Sequence, residues 1–460
     1  MSSATNSNVT SGFIDLATFD EIEKYMYGGP DATAYFVRET RKSTWFTQVP
    51  VALSKASGNA AFNQDWSVNI SRAGDYLLQS WLRLTVPSVQ LQAPSPSGLV
   101  AIRWTQNFMH NLVRECSITF NDLVAARFDS FHLDFWSAFT VPAGKQNGYL
   151  NMIGNTPNLI FPQGPAVPLG AATLNLPLPF FYGRDSGVAL PTAALPYNEM
   201  RLNFSFRDWT ELLVGYTAVN TTGVAVTSLD LVAGAPVLSP VNVWANYAIV
   251  SNDERKRMAC APRDILIEQV QTAPRQNFNP NQNKFPSFDI RFSHAIKVLF
   301  FAVRNTTCRQ DWSVYNTVSP TLTNPGGLSF KIDFEPVTAV DPILHTSLIY
   351  ENTARLSTMG SDYFSLVNPY YNAPVIPTLI GYHSYSYSLD FICLDPMGST
   401  NYGKLTNVSI LPASSTGCDA AAVITVPATN LTSQTYEFIT TAVNNNIIRI
   451  SGGALGFPVL

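Results

Sequence analysis

Short apolar alternations separated by proline and glycine constrain this chain more than any other feature. Trp66, Val68 and Ile70 share one side of "WSVNI", and Leu202, Phe204 and Phe206 share one side of "LNFSF". Phe288, Ile290 and Phe292 repeat the pattern, as do Phe330, Ile332 and Phe334, and "VNVWANYAI" continues it from Val241 to Ile249. A period of two sends alternate side chains to opposite faces, so each segment reads as a half-buried strand. The 31 prolines and 26 glycines are spread between such segments. Helical patterns do not alternate with the strands, which argues against a parallel α/β fold and for an antiparallel sandwich or barrel.

The strand-like segments recur in order. "WSVNISRA" from Trp66 is echoed by "FDIRFSHA" from Phe288, "SITFND" from Ser117 by "SLIYEN" from Ser347, and "NFSF" from Asn203 by "NVSI" from Asn407. The offsets are roughly 200 to 230 residues, the spacing expected of a duplicated β-domain of about eight strands. A chain of 460 residues is also long for one core, since single cores stop growing near about 250 to 300 residues. The expected fold is therefore all-β, with two tandem eight-stranded antiparallel jelly rolls. An N-terminal arm over 1–50 carries a short helix; the first roll spans 51–215, a linker 216–240 and the second roll 241–460. In the arm, Thr18 and Glu21 have capping-box spacing, Ile22, Tyr25 and Met26 share a face, and Gly28, Gly29 and Pro30 end the helix. A second helix is expected over 130–139, with Phe131, Phe135, Trp136 and Phe139 at helical spacing. Both apolar stripes are expected to pack on a sheet. Long Pro/Gly/Ser/Thr segments at 87–101, 141–175, 309–328 and 412–434 read as loops, long enough to serve as contact surfaces.

Charge argues for burial against other molecules. Charged residues make up 13% of the chain, about half the usual share of roughly a quarter, and a surface so poor in charge suits a chain that covers its exterior with copies of itself. The formal net charge of -4 and the absence of a basic stripe exclude a nucleic-acid coat. "DERKRM" at 253–258 begins with two acids and reads as a solvated turn. The polar start lacks the pattern of a signal peptide, and no apolar run approaches the roughly 18 residues of a membrane span; "VLFFAV" at 298–303 is among the longest. Five scattered cysteines, Cys116, Cys260, Cys308, Cys393 and Cys418, signal neither a disulfide framework nor a zinc site. The N-x-S/T triplets beginning at Asn8, Asn69, Asn203, Asn220, Asn305, Asn407 and Asn430 read as polar strand and turn residues.

No chemistry stands out. Gly398 to Lys404 has the spacing of a phosphate-binding loop, but Leu405 replaces the required hydroxyl. The following "TNVSI" alternates like a strand, as does "SYSYSLDFICL" upstream, with Tyr385, Tyr387, Leu389, Phe391 and Cys393 on one face. His110, His132, His294, His345 and His383 are isolated, without metal-ligand spacing. "GRDSGVALP" at 183–191 reads as a tight turn. The expectation is no catalytic, cofactor-binding or metal residue and no cofactor. Two other classes stay open at this point, a lectin-like carbohydrate-binding module and a glycoside hydrolase whose paired carboxylates leave no local signature.

Long blocks carry a family resemblance: "TSGFIDLATFDEIEKYMYGG", "NLPLPFFYGRDSGVALPTAALPYNEMRLNF", "DIRFSHAIKVLFFAVRNTT", "DPMGSTNYGKLTNVSI" and "NNNIIRISGGALGFPVL". The chain resembles the major capsid proteins of iridoviruses, most closely those infecting invertebrates. The resemblance implies a structural, non-enzymatic subunit with a double jelly roll, three copies forming a pseudo-hexagonal capsomer. Such capsomers tile an icosahedral shell around an internal membrane and double-stranded DNA. It further implies location in the virion capsid after assembly in the host cytoplasm. Expected partners are the chain itself, minor capsid and penton proteins, and the internal membrane or its proteins through the N-terminal arm. No direct nucleic-acid contact is expected.

Overall fold

A computed structural model describes residues 8–323, 330–423 and 433–458. Contacts divide it into an arm ending at Trp45 and a body from Phe46 onward. The arm holds helices α1 (Val9–Ala17) and α2 (Glu21–Met26). Asp20, not Thr18, caps α2, accepting the Glu21 amide at 2.8 Å, because a carboxylate both accepts the free amide and complements the helix dipole. Thr18 closes α1 instead, its hydroxyl donating to the Asp15 carbonyl at 2.6 Å. Neither helix has a buried residue, so the expected sheet packing of Ile22, Tyr25 and Met26 is not seen.

Eight strands build the first roll: β1 (Phe46–Ala52), β2 (Asp65–Asn69), β3 (Tyr76–Val86), β4 (Val113–Phe120), β5 (Leu123–Asp129), β6 (Ala172–Pro177), β7 (Met200–Phe206) and β8 (Val241–Val250). They pair as β1-β8-β3-β6 and β2-β7-β4-β5, and a ninth, short strand over Ser54–Gly58 extends the second sheet at the β2 edge. The second roll contains β9 (Arg263–Thr272), β10 (Phe288–Asp289), β11 (Ala295–Asn305), β12 (Ile343–Tyr350), β13 (Thr353–Gly360), β14 (His383–Ser386), β15 (Val408–Ser414) and β16 (Tyr436–Ser451). These pair as β9-β16-β11-β14 and β10-β15-β12-β13, the same order shifted by eight strands. Both rolls therefore have jelly-roll connectivity, in which the first strand lies beside the last and the two sheets shelter each other's inner faces.

The duplication extends to single turns. Asn121 and Asp122 join β4 to β5 with φ of 49° and 65°, and Glu351 and Asn352 join β12 to β13 with φ of 45° and 64°. Two successive positive φ values match the twist of a two-residue hairpin.

The boundary expected at residue 241 is displaced. Val241–Val250 is the last strand of the first roll, with Ala245 opposite Val51 on one side and Ser80 on the other. Its hydrogen bonds close the first roll, and this outweighs the change in composition over 216–240. That stretch instead carries Val224–Ala225, which joins Leu213–Thr217 and Leu99–Trp104 in a small extra sheet. The link between rolls is a helix over Asn252–Cys260, where a solvated turn was expected; acids in its first turn and Arg257 in its last complement the dipole.

Other local expectations shift for identifiable reasons. The segment 141–175 contains helix Ala143–Ile153, ended by Gly154 at φ 88°. Strand β14 stops at Ser386, because the Ser386 and Ser388 hydroxyls donate to the carbonyls of Ser388 and Asp390 and draw the chain out of the ladder. Leu389, expected to share one strand face with Tyr385 and Tyr387, is consequently outside the ladder and 75% exposed. Ile332 lies within, and Phe330 and Phe334 flank, a three-residue strand Lys331–Asp333 paired with Thr321–Thr323, outside both rolls. Parts of the loops expected at 309–328 and 412–434, together with Asn430, lie outside the described residues.

Candidate functional site

The most specialised region of the body is the junction between its rolls. Helix α3 (Ser130–Thr140) follows β5, and α4 (Ala143–Ile153) follows it, so the linker helix Asn252–Cys260 is α5. Asp129 caps α3 by accepting the His132 amide at 2.9 Å. Phe131, Phe135 and Phe139 recur every fourth residue, which puts them on one stripe. That stripe packs on a sheet as expected, but on the outer face of the other roll. Phe135 and Phe139 stack on Phe300 of β11 with ring centroids 5.8 and 5.3 Å away. Nearby, Ile265 and Ile267 of β9 and Ile448 and Ile450 of β16 join the core of the first roll, and Gln269 Nε2 donates to the Ala125 carbonyl of β5 at 2.7 Å.

Polar groups fix the register of this contact. Asp134, fully buried on α3, accepts from Ser313 at 2.8 Å and Tyr315 at 2.9 Å in the second roll, and pairs with His110 Nδ1 at 2.8 Å in the first. Glu268 on β9 pairs with Lys297 and with Arg184, both at 2.6 Å, and the Arg184 guanidinium lies 3.9 Å from the centre of the Trp136 ring. Arg103 pairs with Asp311, and Arg207 and Arg304 sit 3.8 and 4.2 Å from the Trp312 ring. Burial, then repulsion from Arg304, lowers the Arg207 pKa to about 10. Buried ionic groups add little net stability, since desolvation offsets attraction, but they strongly penalise any misaligned docking. This chemistry is that of a fixed joint.

The motifs singled out in the sequence are dispersed around this frame. Gly398 has φ 118°, and the loop after it returns to strand β15 through a turn, so no helix N-terminus faces Gly398 to Lys404. Val408 and Ile410 are buried and Asn407 is exposed, the expected alternation. His110 is held between Asp134 and the Tyr149 hydroxyl, the latter at 2.6 Å, and His383 Nε2 meets Asp341 at 2.7 Å. Burial, with the Arg184 charge, pushes the His132 pKa down to about 3. Arg184 of "GRDSGVALP" serves the joint described above, and Asp185 and Ser186 lead into a short 3-10 turn. Cys116, Cys308 and Cys418 are buried thiols, Cys393 is half-buried and Cys260 exposed. Among the described residues no group of three or more His, Cys, Asp or Glu side chains could hold a metal. A cavity of about 840 Å³ lies between the outer face of β3 and β6 and helices α3 and α4; its lining includes Trp81, Trp136, Tyr149, Lys145 and Arg184 and no carboxylate. It therefore lacks the acid pair of a glycosidase.

Among the described residues, two faces are not fully covered. Trp81 and Trp244 on the outer face of β1-β8-β3 are half-buried, with helices α3 and α4 reaching over its β3-β6 side across the cavity described above, whereas Phe300 on the equivalent face of the second roll is fully buried. The segment after β13 exposes Leu366, Val367, Tyr370 and Tyr371 together. Sequence periodicity placed residues on faces of elements, but the pairing of α3 with a distant strand had no local signal. The one available clue was the continuous apolar run of β11, which marks a strand covered on both sides.

Comparison with known proteins agrees with this architecture. Residues 34–250 match a family profile described as major capsid protein N-terminus, and residues 254–456 match one described as large eukaryotic DNA virus major capsid protein. The junction between these matches falls at α5. The major capsid protein of Costelytra zealandica iridescent virus is 65% identical over all of both chains. That of Invertebrate iridescent virus 6 is 64% identical and that of Lymphocystis disease virus 1 is 50% identical, again over all of both chains. Among solved structures, a chain of the PBCV-1 virus capsid superimposes with a TM-score of 0.71 at 20% identity, covering 93% of this chain and 100% of that one. The Faustovirus major capsid protein gives 0.68 at 12% identity, covering 94% of each. These likenesses establish the double jelly-roll fold, and the identities over full length establish that the chain belongs to the iridovirus major capsid proteins, structural subunits of a virus capsid and not enzymes.

Proposed function

We propose that the chain assembles as a homotrimer of pseudo-hexagonal outline, and that these trimers tile a large icosahedral shell enclosing an internal membrane and double-stranded DNA. The observation that carries this reading is the identical strand order of the two rolls. Three copies of a two-roll chain present six similar bodies around a threefold axis, a shape that fits a hexagonal lattice. Low charge density and the two incompletely covered faces support the same reading, since obligate interfaces bury about 2,000 Å² or more of mainly apolar surface. Contacts between trimers can be weaker, because repetition over a shell supplies avidity.

The arm is assigned to inward contacts with minor capsid proteins or the membrane; Phe13, Ile14, Leu16 and Ile22 are each more than 60% exposed and give it apolar anchors. Penton proteins would fill the fivefold positions, and assembly would take place in the host cytoplasm. Light scattering of the purified protein tests the central claim. The expected mass is three times the 50.5 kDa of one chain, and a stable monomer at micromolar concentration would overturn the trimer. Deleting residues 1–30 should spare trimers and impair particle formation.

A further inference from the structure

The junction between rolls inside one chain supplies a template for the contact between chains. Strand β3 and strand β11 have the same length and the same place in their sheets, and Trp81 and Phe300 are each the sixth residue. Both point outward: their neighbours Leu82 and Phe301 are buried in the cores of their own rolls. Phe300 is covered by Phe135 and Phe139 of the preceding roll. Trp81 instead borders the open cavity of about 840 Å³.

The covering elements are duplicated too. In both rolls a helical segment follows the hairpin strand, and Leu133 and Phe364 are the residues that anchor it to its own core. Counting from these anchors, Leu366 corresponds to Phe135, Val367 to Trp136 and Tyr370 to Phe139. Phe135 and Phe139 are fully buried, whereas Leu366 is 51% and Tyr370 68% exposed. The strands before them differ in the same sense: β5 buries Ala125, Ala126 and Phe128, and β13 buries nothing. One roll uses this surface within the chain, and the other leaves it free.

We propose that the exposed face formed by β13 and the Leu366–Tyr370 segment seats on the outer β1-β8-β3 face of a second copy, with Leu366 and Tyr370 over Trp81. The contact repeats between chains the one that α3 makes with Phe300 within a chain. Because its two sides are different surfaces, it is heterologous and propagates around a ring. The inference rests on the trimer reading for the number of copies, but it names the faces independently.

Two variants, Trp81→Cys and Leu366→Cys, each in a Cys260→Ser/Cys393→Ser background that keeps only the buried native thiols, are co-expressed and treated with a short bismaleimide. Cross-linked dimers are expected from the mixture and from neither variant alone. In parallel, the double variant Leu366→Asp/Tyr370→Asp is expected to weaken association at least tenfold by light scattering while keeping the wild-type circular dichroism. Monomeric wild-type protein would overturn both the trimer and this contact. A wild-type trimer that yields no cross-link, or that survives the double substitution, would overturn the contact alone.

Discussion

The rings of Phe135 and Phe300 lie nearly parallel, 5.8 Å apart with 5° between their planes, although one belongs to a helix of the first roll and the other to a strand of the second. Such a pair couples two separately built cores. Phe300→Ala should cost about 3 to 5 kcal/mol, because it removes a large buried ring and leaves a gap that α3 cannot close without moving. Chemical unfolding followed by tryptophan fluorescence measures this; a loss below about 1 kcal/mol would show that the rolls do not depend on the contact.

Asp134 should be among the least replaceable polar residues. Asp134→Ala leaves the hydroxyls of Ser313 and Tyr315 and the ring of His110 without their acceptor in a site closed to water. A loss of at least about 3 kcal/mol is expected, the range for breaking a buried charged network. The same unfolding experiment reads it, and Asp134→Asn, which keeps an acceptor oxygen, should lose less.

Gly381 should not tolerate a side chain. Its φ is 99°, and a Cβ there would stand 2.0 Å from the Tyr315 carbonyl oxygen. Gly381→Ala must therefore shift backbone beside the joint, at a cost of about 2 kcal/mol or more. An unchanged melting temperature would contradict the close approach.

His132 should contribute acid sensitivity. Its folded pKa of about 3 lies below the ordinary value of 6.5, so between these limits the unfolded chain binds a proton that the folded chain does not. Stability is complete above about pH 6.5 and falls as the pH drops, by up to about 1.4 kcal/mol per unit from this group. His132→Gln should flatten the dependence between pH 6.5 and 4.5; equal slopes for the two proteins would show that the ring does not remain neutral.

Much of this architecture was legible in local patterns. Alternation at Trp66–Ile70, Leu202–Phe206 and Phe288–Phe292 marked strands because a pleated chain exposes alternate residues to one core, and the recurrence of "SITFND" as "SLIYEN" marked the duplication. The end of the first roll was misplaced because nothing within Val241–Ile249 states which strands it will pair with. The Thr18 and Glu21 spacing suggested a cap that Asp20 supplies instead for a similar reason, since both side chains are suitable and only the backbone path decides between them. The joint was not readable, because its ion pairs join residues as distant as Arg103 and Asp311.

The sequence by itself determined the β character of the chain, its duplication and its poverty of charge, because period, recurrence and composition are properties of neighbouring residues. Only the tertiary structure decided that α3 of one roll covers β11 of the other while the equivalent surfaces at Leu366, Tyr370 and Trp81 stay open. Side chains with the same local pattern are buried or exposed according to which distant element reaches them, and that depends on how the two sandwiches pack.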